Sequence, residues 1–367
     1  MKKIASLCSL LLIVLLFSNN MGFSQTIEKS RSYTETFKTG PETEIEIINK
    51  YGDIHLIPWK KDSVRFEIEV MVRGTKQSKV DKSYDYIEID FKDTKYYVIA
   101  QTLFAGKSSF WSDVSDLTGA IFNSGTKTKI DYTVYLPARA TLKVTNKYGN
   151  IYTTNHTGKV ELRLSNGDLK AHHFAGPVSI ESEFGDINVK KIDDGILAIN
   201  YGECFIEEAG KISLTGKSSE FHIDNATTLN MDSRRDKLFL GSVDKLSGST
   251  NFSLLELEEV AESLVLNAKY GDIDISGFSD KLQSFSIWTN DTDLTLHFTD
   301  DKQYEMDIKV DDRTQVLYSA DITNITSREL GGEDNLIQVD CIVGKDKKLS
   351  KRLEINANGG SISLKLK

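Results

Sequence analysis

Three cysteines, four prolines and three tryptophans in 367 residues rule out several ways of building a protein. Cys8 lies in an apolar run near the start. Cys204 and Cys341 are far apart, and two cysteines do not make a disulfide framework. Each falls at an apolar-alternation position, Cys204 where neighbouring repeats carry Ile or Leu, so both are expected as buried thiols; a Cys204–Cys341 bridge is the alternative. Bases are also short: 45 Lys and Arg face 54 Asp and Glu, a formal charge of -9. A chain so acidic lacks the basic face that captures phosphate backbones or anionic lipid, so nucleic acid is not an expected partner.

Long hydrophobic runs are missing too. The longest, Ile4 to Phe17, is shorter than the ~20 residues of a spanning helix, and no transmembrane segment is expected. It follows Lys2 and Lys3 and precedes Ser18-Asn19-Asn20 and Gly22-Phe23-Ser24, the pattern of a secretory signal peptide over residues 1–24. Cys8 comes too early in the run for a lipoprotein cleavage site. Cleavage would remove two lysines and no acid, giving -11, and would make the protein exported: periplasmic, surface-bound or secreted.

What is present is a repeat. The phrase Asn49-Lys50-Tyr51-Gly52-Asp53-Ile54 recurs at Asn146 to Ile151, with Asn150 for Asp, and at Asn267 to Ile273. Looser copies run Ser165 to Leu169, Glu183 to Ile187 and Asn200 to Cys204, which puts glycines at 149, 167, 185 and 202. Further degenerate copies lie at Ser219 to Ile223, Asp236 to Leu240, Thr250 to Leu254 and Asn358 to Ile362. A period of 17 to 18 residues is too short for a propeller blade and suits one turn of a solenoid. Val178, Ile180, Ile187 and Val189 alternate with period two on either side of Phe184-Gly185-Asp186, and helical periodicity is absent. The reading is all-β: a single-stranded parallel β-solenoid whose repeats are two short strands joined at a glycine corner.

Gly52, Asp53, Gly149, Gly167, Asp168, Gly185, Asp186, Gly202, Gly271 and Asp272 are read as structural turn residues, the aspartates capping corner amides. A carboxylate ladder holding Ca²⁺ is the weaker reading, since the nine-residue pattern of calcium-loaded β-rolls is missing. Ile151, Leu169, Ile187 and Cys204, each two past its glycine, are expected to stack inward.

Residues 64–136 break the period. The runs Val64 to Val72, Tyr84 to Phe91, Tyr96 to Leu103 and Thr128 to Leu136 read as an antiparallel N-terminal cap or insertion, with Asp93-Thr94 as a hairpin tip. The run Tyr304 to Val343 also departs from the repeat. The organisation expected is a signal peptide over 1–24, a strand-rich region with the first rung over 25–145, and repeats with an irregular end over 146–367.

The phrase with Ile57-Pro58-Trp59 after it, the strand Ile130 to Leu136 ending at Pro137, and the serial Gly-Asp rungs resemble, in that order, a family of exported bacterial β-solenoids named putative adhesins. The resemblance implies a parallel β-solenoid of the cell envelope. The loss of Gly-Asp near Ser219, Asp236 and Thr250 departs from the pattern.

No catalytic constellation stands out. His172 and His173 point to opposite faces of a strand and do not suit one metal ion. His55, His156, His222 and His297 are scattered singly, and Glu181 with Glu183, or Glu258 with Glu259, are pairs that an acidic chain supplies by chance. No metal site and no cofactor are expected. The segment Phe104 to Thr126 is long for a connection and carries Phe110, Trp111 and Phe122 among glycines and serines, which makes those three rings the candidate binding residues; a lid is the alternative. The function expected is non-enzymatic: an adhesin or scaffold binding an envelope protein or a surface glycan. The alternative is a carbohydrate-active β-helix, marked by two carboxylates roughly 5 to 9.5 Å apart in an aromatic-lined groove.

Overall fold

The structure, a computed structural model, describes residues 26–104, 125–320, 322–331, 336–344 and 350–366. They form an all-β protein of 24 strands, mainly parallel, and one helix. Contacts group the chain into two compact units: Met1–Ser32, Glu69–Glu88 and Leu103–Lys129, and Tyr33–Ile68, Ile89–Thr102 and Ile130–Lys367.

The second unit is a stack of parallel rungs. Leu169 pairs with Ile187, eighteen residues on, Ile187 with Cys204, seventeen on, and Cys204 with Phe221. The column Ile54, Ile151, Leu169, Ile187, Cys204, Phe221, Leu238, Leu255, Ile273 and Leu294 is buried throughout, because period-two alternation in register sends the same position of every rung inward. Asp236 to Leu240 and Thr250 to Leu254 are rungs like the others. So is Asn358 to Ile362, which pairs in parallel with Asn290 to Leu294.

The rungs differ from the expected pair of short strands. Leu169–Glu183, Glu203–Lys217, Glu220–Arg234 and Lys237–Asn251 are each one strand of fifteen residues running from corner to corner, because the bend midway is too gentle to break the ladder. From Ile151 to Leu294 rung length changes only at that bend. The step slips from eighteen to seventeen between Phe174 and Pro177, and back again between Val243 and Lys245.

Two further expectations need correction. Tyr97–Phe104 pairs in parallel with Glu44–Lys50, and Tyr132–Pro137 with Ile54–Trp59, so these runs are part of the rung stack and not of an antiparallel cap. Pairing between distant segments follows no sequence period, which is why alternation alone gave the wrong direction. Thr94 does close a tight turn: its N–H donates to Tyr97 O, and Gln101 reaches Asp90 at 2.7 Å. Farther along, Gln303–Val310 pairs antiparallel with Leu336–Val343 and parallel with Ser350–Leu366.

In the first unit, residues 77–85 are a helix, Gln77–Asp85, where a strand from Tyr84 was expected. Only Val80 and Ser83 of it are buried, too few to print an apolar helical period. Gln77 to Asp81 one turn on and Lys29 to Asp81 at 3.1 Å hold it.

Candidate functional site

At these corners the chain places one residue in the left-handed region, and that residue precedes the glycine or the Ser219, Asp236 or Ser253 that replaces it. Tyr51, Tyr148, Asn166, Phe184, Tyr201, Ser218, Arg235, Phe252 and Tyr270 have φ between 52° and 69°. The glycine serves closeness instead: a Cβ on Gly185 would lie 2.0 Å from Gly167 O, and one on Gly149 1.9 Å from Gly52 O. Gly52, Gly167, Gly202 and Gly271 are in the same position, each with its would-be Cβ 2.0–2.2 Å from a carbonyl oxygen of the adjacent rung.

The phrase's other residues satisfy this corner. Asn49 is buried, and its Nδ2 donates to Ile130 O and Gly52 O while its Oδ1 accepts from Thr102 Oγ1. The Asp position forms a chain of carboxylates and amides. Asp53 Oδ1 accepts from Asn150 N–H, Asn150 Oδ1 from Asp168 N–H, Asp168 Oδ1 from Asp186 N–H and Asp186 Oδ1 from Glu203 N–H, at 2.9–3.2 Å. Asp272 N–H bonds Ser253 O. Among the described residues no group of three or more His, Cys, Asp or Glu could hold a metal.

Bulky residues seldom adopt a left-handed backbone, at a cost of roughly 1–2 kcal/mol each. Here six of them are aromatic and stacked: Tyr51 on Tyr148 at 5.4 Å, Phe184 on Tyr201 at 5.0 Å, and Phe252 on Tyr270 at 4.8 Å, with planes 8–14° apart. Tyr148, Phe184, Tyr201, Phe252 and Tyr270 are all more than 40% exposed. Lys50 Nζ sits 4.9 Å from the Tyr51 ring and Lys217 Nζ 5.5 Å from that of Tyr201.

A second aromatic column lies on the face that follows the corner. His222 is sandwiched between Phe205 at 4.7 Å and Phe239 at 4.9 Å. The same register continues through Glu256 and Asp274. A groove of about 880 Å³ opens here, lined by His222, Phe239, Glu256, Glu258, Asp274 and His297 among others. Glu220 Oε1 meets His222 Nε2 at 2.9 Å, and Asp274 meets His297 at 3.1 Å. Hydrogen bonds from the His222 imidazole and then from the Lys237 ammonium hold Glu220 below the usual carboxylate range. Glu256 and Asp274 stand opposite each other on adjacent rungs, a backbone spacing of roughly 5 Å.

The structure thus brings together His222, His297 and Glu258, which look unrelated in sequence, and leaves other candidates apart. His172 meets Asn155 and His173 meets Asp193, so the adjacent pair has separate partners. His55 stacks on Tyr152, and buried His156 bonds Ala140 O. Glu181 pairs with Arg163. Both thiols are free and buried, so the bridge is not formed, and burial pushes Cys204 up to about 12 and Cys341 to about 11. Phe110, Trp111 and Phe122 lie outside the described residues. The seventeen-residue spacing of Phe205, His222 and Phe239 was the signal available for the groove.

No family model matches the chain, and no curated protein matches it. Solved structures that resemble it include a putative cell adhesion protein from Clostridium sporogenes, 8% identical, covering 92% of this chain and 100% of that one, TM-score 0.19. A putative adhesin from Parabacteroides distasonis is 12% identical over 71% of this chain and 95% of its own, TM-score 0.35. A putative lipid binding protein from the same species is 11% identical, covering 91% and 96%, TM-score 0.29. TM-scores this low leave fold and function to the chain's own residues. No helix among the described residues is long and apolar enough to cross a membrane.

Proposed function

We propose that this chain is a parallel β-solenoid of adhesin type, exported by its N-terminal segment, which holds an extended surface glycan without cleaving it. The observation that carries this reading is the Phe205–His222–Phe239 stack in a groove rimmed by carboxylates. Aromatic faces take the C–H faces of sugar rings, carboxylates accept hydroxyl protons, and a rung repeat of about 4.8 Å offers the same contacts along a polymer. The test is retention on immobilised neutral polysaccharides. Phe239→Ala should weaken retention about tenfold, the loss typical of an anchor ring, while the melting temperature stays put. Retention unchanged by Phe239→Ala would refute the groove as the site, and capture of an envelope protein in its place would make the partner a protein.

Hydrolysis is the second reading, favoured by Glu256 and Asp274 facing each other beside Phe239. New reducing ends that vanish in Glu256→Gln would establish it. The segment with Phe110, Trp111 and Phe122 is proposed as a further contact. Trp111→Ala should weaken affinity capture from an envelope fraction and spare stability; a lower melting temperature with capture intact would make it a lid.

A further inference from the structure

The ladder of corner rings is interrupted at Asn166 and again, over two successive rungs, past Tyr201, and the wider interruption has its own chemistry. Phe184 and Tyr201 form one stacked pair and Phe252 and Tyr270 the next. Between them the corner residues are Ser218 and Arg235. From Tyr201 to Phe252 is three rung steps, roughly 14 Å. Lys217 Nζ lies over the Tyr201 ring at one side of that gap, whereas at the other side the face of Phe252 not stacked on Tyr270 looks into it. Beside it is a recess of about 510 Å³ lined by Asn200, Lys217, Arg234, Asn251 and Phe252, with Asp232 its one acid.

In a chain of charge -9 this recess reverses the sign. Lys217, Arg234 and Arg235 are all exposed. Neither arginine makes an ion pair among the described residues, whereas Asp232 accepts a hydrogen bond from Ser249 Oγ. Two arginine forks suit carboxylate oxygens, the amides of Asn200 and Asn251 suit hydroxyls, and the flat ring of Phe252 suits a pyranose face. Three cations walled in by aromatics are too few and too confined for a polyphosphate backbone, which the surrounding acidity would repel.

We infer that the gap between Tyr201 and Phe252 is a binding site for a carboxylated saccharide, with Arg234 and Arg235 on the carboxylate and the Phe252 ring stacked on the sugar. It stands on different residues from the groove around Phe239, and neither needs the other. The test is calorimetric titration of the whole protein with trigalacturonate and with its methyl ester, a neutral probe of the same shape. Trigalacturonate should bind at least about tenfold more tightly than the ester, and R234Q/R235Q should abolish that preference, as expected for two charge-assisted contacts. Phe252→Ala should weaken both probes, with unchanged melting confirming that the variants fold. Phe239→Ala should leave trigalacturonate binding intact. Equal affinity for acid and ester, an acid preference that survives R234Q/R235Q, loss of binding in Phe239→Ala, or no binding of trigalacturonate at all would overturn the assignment.

Discussion

The rungs from Gly149 to Gly202 and those from Ser219 to Ser253 turn the same corner by opposite means. In the first group the glycine brings two backbones together, and the next residue's carboxylate or amide accepts an N–H from the following rung, as Asp168 does from Asp186. In the second group the glycine position itself carries the polar side chain, which points back. Asp236 Oδ1 accepts from Ser219 N–H of the preceding rung, and Ser253 Oγ from Asp236 N–H. The hydrogen-bond chain reverses direction where Asp gives way to Glu203 and Gly to Ser219. One chain caps from outside in partial solvent; the other is buried and tied to Ser233 Oγ and Arg234 N–H. A corner therefore needs an acceptor, and its position in the phrase is negotiable.

The largest expected effect breaks the first group. Gly185→Ala puts a methyl 2.0 Å from Gly167 O, a backbone atom that moves only if the rungs part, so about 3 kcal/mol should be lost in denaturant melts. An unchanged midpoint would show that closeness is not what the glycine supplies. Next, Asp236→Ala leaves two amides and a hydroxyl without their acceptor in a buried corner and should cost about 2–3 kcal/mol by the same melts. A loss under ~1 kcal/mol would mean that water replaces the carboxylate.

The third prediction uses pH. The last rung's corner, Gly359, has φ +73° and is held by Asp311, which accepts from its N–H and from Thr314 and Arg313. Burial pushes Asp311 up, but these donors outweigh it and bring it down to about 2. A depressed carboxylate contributes stability above its unfolded value near 3.8, and that contribution disappears as pH falls toward 2. Asp311→Asn should cost about 2 kcal/mol at pH 7 and nearly nothing at pH 2, read as converging melting temperatures. Asp236 runs the other way. Burial raises it over the pull of its donors, so its contribution is full below the unfolded carboxylate value and is lost as pH rises through the raised one. Parallel pH profiles for Asp311→Asn and Asp236→Asn would contradict the contrast. The smallest effect is Asp168→Ala, where one partly exposed acceptor is lost: about 0.5–1 kcal/mol, resolvable by hydrogen exchange at the Asp186 amide.

Much of this was legible. The glycine period and the alternation fixed the inward column from Ile151 to Cys204, since burial of one face leaves no freedom of register. The glycines were legible as corners, but nothing in the phrase marks the residue before them as left-handed: the structure gives that conformation to Phe184, whose stacked ring offsets the strain. Helix Gln77–Asp85 and the parallel partners of Tyr97 and Tyr132 depend on distant contacts that no local pattern records. Of the candidate site, Glu258 was noticed only as a chance pair, and His222 as a lone histidine, because the phrase that marks the rungs fades over the stretch that builds the groove.

The gentle bend opposite each corner has a different meaning when lengths are compared. From Ile151 to Leu294 the left-handed corner keeps its register, whereas the bend has absorbed a one-residue slip, the 21 residues separating Asp272 from Asp293, and the 68 separating Thr292 from Gly360. It acts as an expansion joint. New peptide spliced between Asp193 and Asp194 would leave the corner columns aligned. The inner rungs have one side that keeps time and one side that is free to acquire new parts, and only toward the ends of the stack, as between the partners of Ile48 and Ile54, does the corner side take up extra chain.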